Sequence, residues 1–163
     1  MKIAIAQAED LLEIRKIYSE ARDFMRSSGN PEQWGENYPP EELTVRDIEE
    51  KLLYKAVLDD EILGVFYFVP GEDPTYVKIY DGAWKNDAPY AVIHRVATSA
   101  SARGKGVCKA IFDYCFAQHP NLKIDTHKDN IPMQRALEKS GFEYCGIIYV
   151  ADGSERIAYQ KIQ

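Results

Sequence analysis

The chain has 163 residues, 45% of them hydrophobic and 28% charged, the balance of an ordinary globular domain. Twenty Lys and Arg against 26 Asp and Glu give a formal charge of −6, which argues against general binding to nucleic acid or an anionic membrane surface. Apolar runs fall short of the ~20 residues that span a bilayer, the N-terminus turns acidic at Glu9 before a signal-peptide core develops, and Cys108, Cys115 and Cys145 suit neither a disulfide scaffold nor a zinc site. The expectation is one cytoplasmic domain over residues 1–163, without a metal, and acting as a monomer or homodimer.

In chain order, Lys2 to Ala6 alternates as a short strand. Asp10, with Glu13 three residues on, reads as a capping box for a helix whose apolar face is Leu11, Ile14, Ile17, Tyr18, Ala21 and Met25. Ser27 to Pro31 breaks it, and Trp34 and Tyr38-Pro39-Pro40 follow in an aromatic loop. Thr44 and Asp47 are expected to cap a second helix, buried through Val45, Ile48 and Leu52. The period then changes, and 55–58, 62–69, 76–84 and 90–98 read as strands separated by turn-forming breaks, as in antiparallel hairpins. A helix is expected from Gly104 to Gln118, a strand over 122–126, a helix from Asn130 to Lys139, and two strands, 143–150 and 155–162, about an Asp152-Gly153-Ser154 turn. The pattern predicts an α/β fold of the α+β type, a mostly antiparallel sheet flanked by helices with one strand–helix–strand crossover.

The stretch that carries chemistry runs from Val96 to Cys108, where a strand ends, small residues turn the chain, and a helix opens on Arg103-Gly104-Lys105-Gly106. Small side chains let a ligand approach the backbone, and the first helical turn presents unpaired N–H groups with the positive end of the dipole behind them. Such a turn suits a phosphate or pyrophosphate, and equally suits an exposed turn with two solvated cations. A P-loop is absent. A dinucleotide fingerprint begins at Gly104-x-Gly106, and Asp125 stands where its ribose-binding acid would, but Lys109 occupies the position that needs a small residue.

Arg103-Gly104-Lys105-Gly106-Val107-Cys108 resembles the acetyl-CoA loop of the GCN5-related N-acetyltransferases (GNAT), Arg/Gln-x-x-Gly-x-Gly/Ala, with Cys108 in place of the last small residue. Asn130 to Met133 and Leu137 to Phe142 resemble the Asn-x-x-Ala and Tyr-x-Lys-x-Gly-Phe of the family's later helix. The resemblance implies a sheet whose fourth and fifth strands splay apart around acetyl-CoA, between Val96, Ala97 and Thr98 on one side and Lys123 to Thr126 on the other. It implies that pantetheine amides complete the ladder at Val96 and Thr98, that pyrophosphate lies on the N–H groups of Arg103, Gly104, Lys105, Gly106, Val107 and Cys108, and that Asn130 and Met133 touch the cofactor. Asn130 also reads as a simple N-cap, and Cys108 as inert packing.

The resemblance implies an acetyl-CoA-dependent N-acetyltransferase acting on a primary amine of a small molecule or peptide by direct attack in a ternary complex. A free alkyl amine with a pKa near about 10.4 is almost wholly protonated at neutral pH, so a base is needed. His94, two residues before Val96 and so expected on the same face of the strand, is the candidate, or else a histidine beside the sheet core. His119 and His127 are weaker candidates. An oxyanion donor is expected among the N–H groups near Ala97 or Thr98. The family's general-acid tyrosine is replaced by Leu137, and Tyr144, Cys145 and Tyr149 are the groups nearby in sequence. Trp34 and Tyr38 read either as a wall for the acceptor, with Asp23, Met25 or Glu36, or as anchors of their loop. A CoA-binding sensor or interaction module without turnover is the alternative function.

Overall fold

The structure, a computed structural model, describes residues 1–163. Its elements are β1 (Lys2–Ile5), α1 (Leu11–Ser27), α2 (Glu41–Glu49), β2 (Leu53–Leu58), β3 (Glu61–Pro70), β4 (Ala91–Thr98), α3 (Val107–Gln118), β5 (Asn121–Thr126), α4 (Ile131–Lys139), β6 (Glu143–Tyr149) and β7 (Glu155–Ile162). One seven-stranded sheet runs in the order β1-β2-β3-β4-β5-β7-β6, antiparallel everywhere except between β4 and β5.

Helices cover both faces. On one, Val107, Ile111, Phe112 and Cys115 of α3 and Leu137 of α4 close over Leu63, Phe66, Ile93, Leu122 and Ile124. On the other, Ile14, Ile17, Tyr18 and Ala21, the apolar stripe of α1, pack with Ile48 of α2 against Leu53, Val65 and Ala97. Each fully buried isoleucine there contributes about 1.5–3 kcal/mol of transfer free energy, which ties α1 to the strands that border the site.

The capping signals differ from the expected ones. The Asp10 carboxylate turns back to accept from the Gln7 N–H (2.7 Å) and from Lys55 Nζ (2.8 Å) rather than capping with Glu13. Helix α2 starts at Glu41, behind Pro40, because two glutamates in its first turn suit the positive end of the dipole. Thr44 and Asp47, the expected caps, are buried inside it.

The strand expected over 76–84 is not formed. Pro74–Tyr76 is a 3-10 turn, with the Asp73 carboxylate accepting from the Thr75 N–H, and the rest crosses the outer edge of β6. Tyr80 and Ile147 exchange two hydrogen bonds of 2.8 Å, and the Ala83 N–H donates to the Cys145 carbonyl. This segment shields an edge that would otherwise offer unpaired groups to another chain. The approach is close enough that a Cβ on Gly82 would stand 1.9 Å from the Cys145 carbonyl oxygen. Gly82→Ala therefore lowers stability by about 1–3 kcal/mol, the range for overpacking. A thermal melt of the variant should fall by about 2–4 °C per kcal/mol lost; an unchanged midpoint would contradict the contact.

Candidate functional site

Strands β4 and β5 pair at only two positions, Ala91↔Leu122 and Val92↔Lys123, and then separate. Beyond that point the edge of β4 has no strand beside it, whereas the other edge of β5 pairs with β7 along its whole length, from Asn121↔Ile162 to Thr126↔Ile157. A cleft of about 1170 Å³ occupies the opening, bordered by Val96, Ala97, Thr98, Ile124, Asp125 and Thr126. Lys123 is not in its wall: its Nζ sits 4.2 Å and 3.9 Å from the ring centres of Trp84 and Tyr90.

The basic turn lies at one end. Helix α3 begins at Val107, later than the expected Gly104, because Gly104 (φ +73°) and Gly106 (φ +70°) are both in the left-handed region. The first-turn N–H groups of Val107, Cys108 and Lys109 therefore follow directly on an exposed turn carrying Lys105. The Arg103 guanidinium lies 4.9 Å from the Phe24 ring centre and borders the cleft. The preceding turn is anchored by Glu20, which accepts from the Ala100 N–H (2.6 Å), and by Glu61, which accepts from Ser101 Oγ (2.8 Å). The Val107 side chain belongs to the core, and burial pushes the Cys108 thiol up to about 11, so it stays protonated and unreactive.

Asn130 and Met133 border the cleft from α4. Asn130 caps that helix, accepting from the Met133 N–H (3.1 Å), and donates from Nδ2 to Gln33 Oε1 (2.9 Å). Trp34 and Tyr38 anchor their loop and face the cleft at once: Trp34 meets Tyr18 edge-on (5.6 Å) and Tyr38 (5.9 Å), and both line the cleft with Asp23 and Met25. Glu36 does not reach it. Val150, Ala151, Asp152 and Arg156 of the closing hairpin complete this half.

His94 also borders the cleft, but the strand does not alternate as expected. The β3–β4 register steps from Tyr67↔His94 to Val65↔Ala97, so Arg95 and Val96 together oppose Phe66, and Arg95 has φ +53°. This bulge puts His94 against Tyr67 and Tyr76, whereas Val96 packs with the core on the opposite face. The Arg95 guanidinium holds the bulge by pairing with Asp47 (2.9 Å) and lying 4.3 Å over the Tyr67 ring.

His94 Nε2 is 2.8 Å from Asp73 Oδ2, while Asp73 Oδ1 accepts from the N–H (2.9 Å) and hydroxyl (2.7 Å) of Thr75. Burial opposes ionisation of Asp73, but these hydrogen bonds outweigh it and hold the carboxyl at about 2. An ionised carboxylate only accepts, so Nε2 is the nitrogen that donates to Asp73, and in the neutral form of the ring Nδ1 is the nitrogen left to accept a proton. Composition and spacing gave no sign of Asp73, which reads as part of a Gly71-Glu72-Asp73-Pro74 turn. His119 and His127 lie outside the cleft wall: His119 ends α3, and His127 Nδ1 accepts from the Asp129 N–H. Tyr144, Cys145 and Tyr149 also lie outside it, and Leu137 is wholly buried.

Residues 11–142 match the family model described as acetyltransferase (GNAT) family. A GNAT-family acetyltransferase structure from Streptococcus agalactiae is 30% identical, superposes with a TM-score of 0.92, and is matched over 99% of this chain and 95% of that one. A ribosomal-protein-alanine N-acetyltransferase from Brucella melitensis, at 17% identity and TM-score 0.70 over the full length of both chains, shares the fold. An aminoglycoside N(6')-acetyltransferase type 1 from Klebsiella pneumoniae is 27% identical, over 80% of this chain and 71% of that relative.

The depressed Asp73 carboxyl has a consequence for stability. The unfolded chain takes up the proton first, so the contribution is complete above the ordinary value of 3.8 and is lost as the pH falls to about 2. Asp73→Asn should cost about 1–3 kcal/mol at neutral pH, through hydrogen bonds lost by His94 and Thr75. Thermal melts across that acid window should fall more steeply for the wild type than for the variant; parallel curves would contradict the assignment.

Proposed function

The chain belongs to the GNAT acetyltransferase family, and from that premise we propose that it is an acetyl-CoA-dependent N-acetyltransferase acting on a primary amine of a small molecule or peptide within a ternary complex. The observation that carries this reading is the parting of β4 from β5 beside a cationic, glycine-bearing helix start, in one cleft that reaches His94. The residues fit the cofactor on physical grounds. A bare strand edge offers backbone groups to amides, and the first turn of α3, with Arg103 and Lys105, offers N–H groups and positive charge to phosphates. Acetyl-CoA, when bound, supplies the acetyl group as an activated thioester.

The protein's own part is to make the amine nucleophilic and to hold it in place. His94 Nδ1 takes a proton from the incoming ammonium, while Asp73 keeps the ring oriented and balances the charge it acquires. Amides at the Ala97–Thr98 end of β4 are the donors on offer to developing negative charge. Trp34 and Tyr38 on one side, and Val150 to Asp152 on the other, form the acceptor walls. The aminoglycoside-modifying relative supports an amine-rich acceptor, as does the acidic character of Asp23, Asp125 and Asp152 in the cleft. Binding of CoA without turnover is the second reading, favoured by Leu137 at the position where the family motif carries tyrosine.

Calorimetry with acetyl-CoA, followed by CoA release with a panel of an aminoglycoside, a polyamine and a peptide amine, separates these readings. We expect binding, with turnover of at least one amine; binding that is inert to the whole panel favours the second reading. Gly106→Trp places a side chain on a left-handed residue at the turn and should weaken acetyl-CoA binding at least about tenfold, since each factor of ten is only about 1.4 kcal/mol. Unaltered binding would count against the cofactor site. His94→Ala should lower kcat by about 10²–10⁴-fold, the range for a positioned base, with acetyl-CoA affinity unchanged; wild-type kcat would remove His94 from the mechanism.

A further inference from the structure

The parallel register of β4 and β5, continued past its last rung, brings His94 level with Asp125. Ala91 pairs with Leu122 and Val92 with Lys123, so beyond the core residues Ile93 and Ile124 the continued register reaches His94 and Asp125, the next residues on the face of Val92 and Lys123 where the strands part. Tyr76 joins them. Its ring centre is 5.9 Å from that of His94, and its hydroxyl donates to Asp125 Oδ2 at 2.6 Å. Tyr76 is almost wholly buried, with its aromatic neighbour Trp84 donating to its backbone carbonyl (2.8 Å), so it is a fixed support. Burial, and then the adjacent Asp125, push the Tyr76 phenol well up, and it remains a neutral donor. One oxygen of Asp125 is thus occupied, whereas Oδ1 has no protein partner and the residue borders the cleft.

The two carboxylates therefore stand in different conditions. Both Asp73 oxygens are engaged, by His94 and by Thr75. Asp125 is held on one side and open on the other. We propose that Asp125 is the acceptor's ammonium anchor: its free oxygen binds the protonated primary amine beside His94, and so selects cationic amines over neutral acceptors. This inference rests on the N-acetyltransferase reading and deepens it.

Charge and protons balance simply. The acceptor arrives as R–NH3⁺, which pairs with the Asp125 carboxylate through a charge-assisted hydrogen bond. One proton passes from nitrogen to His94 Nδ1, leaving R–NH2 with its lone pair free and the positive charge on the imidazolium beside Asp73. Asp125 accepts throughout and is not itself protonated. An alcohol in the same place carries no charge to pair with, and the preference for an ammonium follows.

The test uses Asp125→Asn and Asp125→Glu in the full chain, with the panel amine that the wild type acetylates fastest. Asp125→Asn should raise KM for that amine by about 10–100-fold, the loss of one charge-assisted contact, with kcat changed much less and acetyl-CoA affinity unaltered by calorimetry. Direct titration of the same amine into the protein without acetyl-CoA should show the same weakening, and Asp125→Glu should recover part of it. Wild-type KM and amine affinity in Asp125→Asn would overturn the proposal. If that variant fails to fold, Asp125→Ser is read in its place: loss of the carboxylate should weaken amine binding to the same extent, and wild-type binding overturns the anchor. If the wild type turns over no panel amine while binding acetyl-CoA, the transferase reading itself fails and the anchor falls with it.

Discussion

The site depends on one interruption of a hydrogen-bond ladder. Backbone groups in a sheet need partners, and most buried ones have them. Here β5 satisfies one edge fully against β7 but gives β4 only two rungs. The separation has a visible counterpart within β4. The bulge at Arg95 inserts an extra residue opposite Phe66 and bends the strand, and the Arg95–Asp47 ion pair fixes it from the side of α2. A buried ion pair of this kind is a poor source of net stability, because desolvation offsets much of the attraction. Its evident structural consequence is placement: two consecutive side chains, His94 and Arg95, turn to the same face, one toward Asp73 and the other toward Asp47.

Charge is divided along the resulting cleft. The formal charge of −6 describes the whole surface, but the α3 end collects Arg103, Lys105 and helix N–H groups. The opposite half carries carboxylates in different states of engagement, with Arg95 committed to Asp47 and Arg156 in the closing hairpin. Asp73 is saturated by His94 and Thr75, and Asp125 is half-engaged by Tyr76. The proposed anionic cofactor at one end and cationic acceptor at the other would suit both halves, without excess acid repelling the first from the turn. Screening at physiological salt, with a Debye length near 8 Å, keeps distant surface carboxylates from deciding the matter.

Much of this was legible in the sequence, and the exceptions share a cause. Helical periodicity placed α1 and α3, and the Arg103–Cys108 motif located the basic turn, because those signals lie within a few consecutive residues. The resemblance of that motif and of Asn130–Phe142 to the GNAT pattern also implied the parted strands. Strand propensity misled at 76–84, where Tyr76, Val77, Ile79, Tyr80 and Trp84 favour a strand, but Asp73-Pro74-Thr75 closes a turn and Gly82 is pressed against β6. Period-2 reasoning failed for His94 and Val96 because a bulge held by a helix 48 residues away is invisible to local pattern. Asp73 and Asp125 read as a turn residue and a strand end, since their partners His94 and Tyr76 are brought to them only by tertiary structure.

The parted strands and the α3 turn can be observed together by amide hydrogen exchange with and without acetyl-CoA. Slowed exchange at Val96 and Thr98 and over Arg103 to Lys109, with β1 and β2 unaffected, is the result that follows if the cofactor completes the open ladder and caps the helix. Protection absent from these segments, or confined to the α1–α2 loop, would contradict the account.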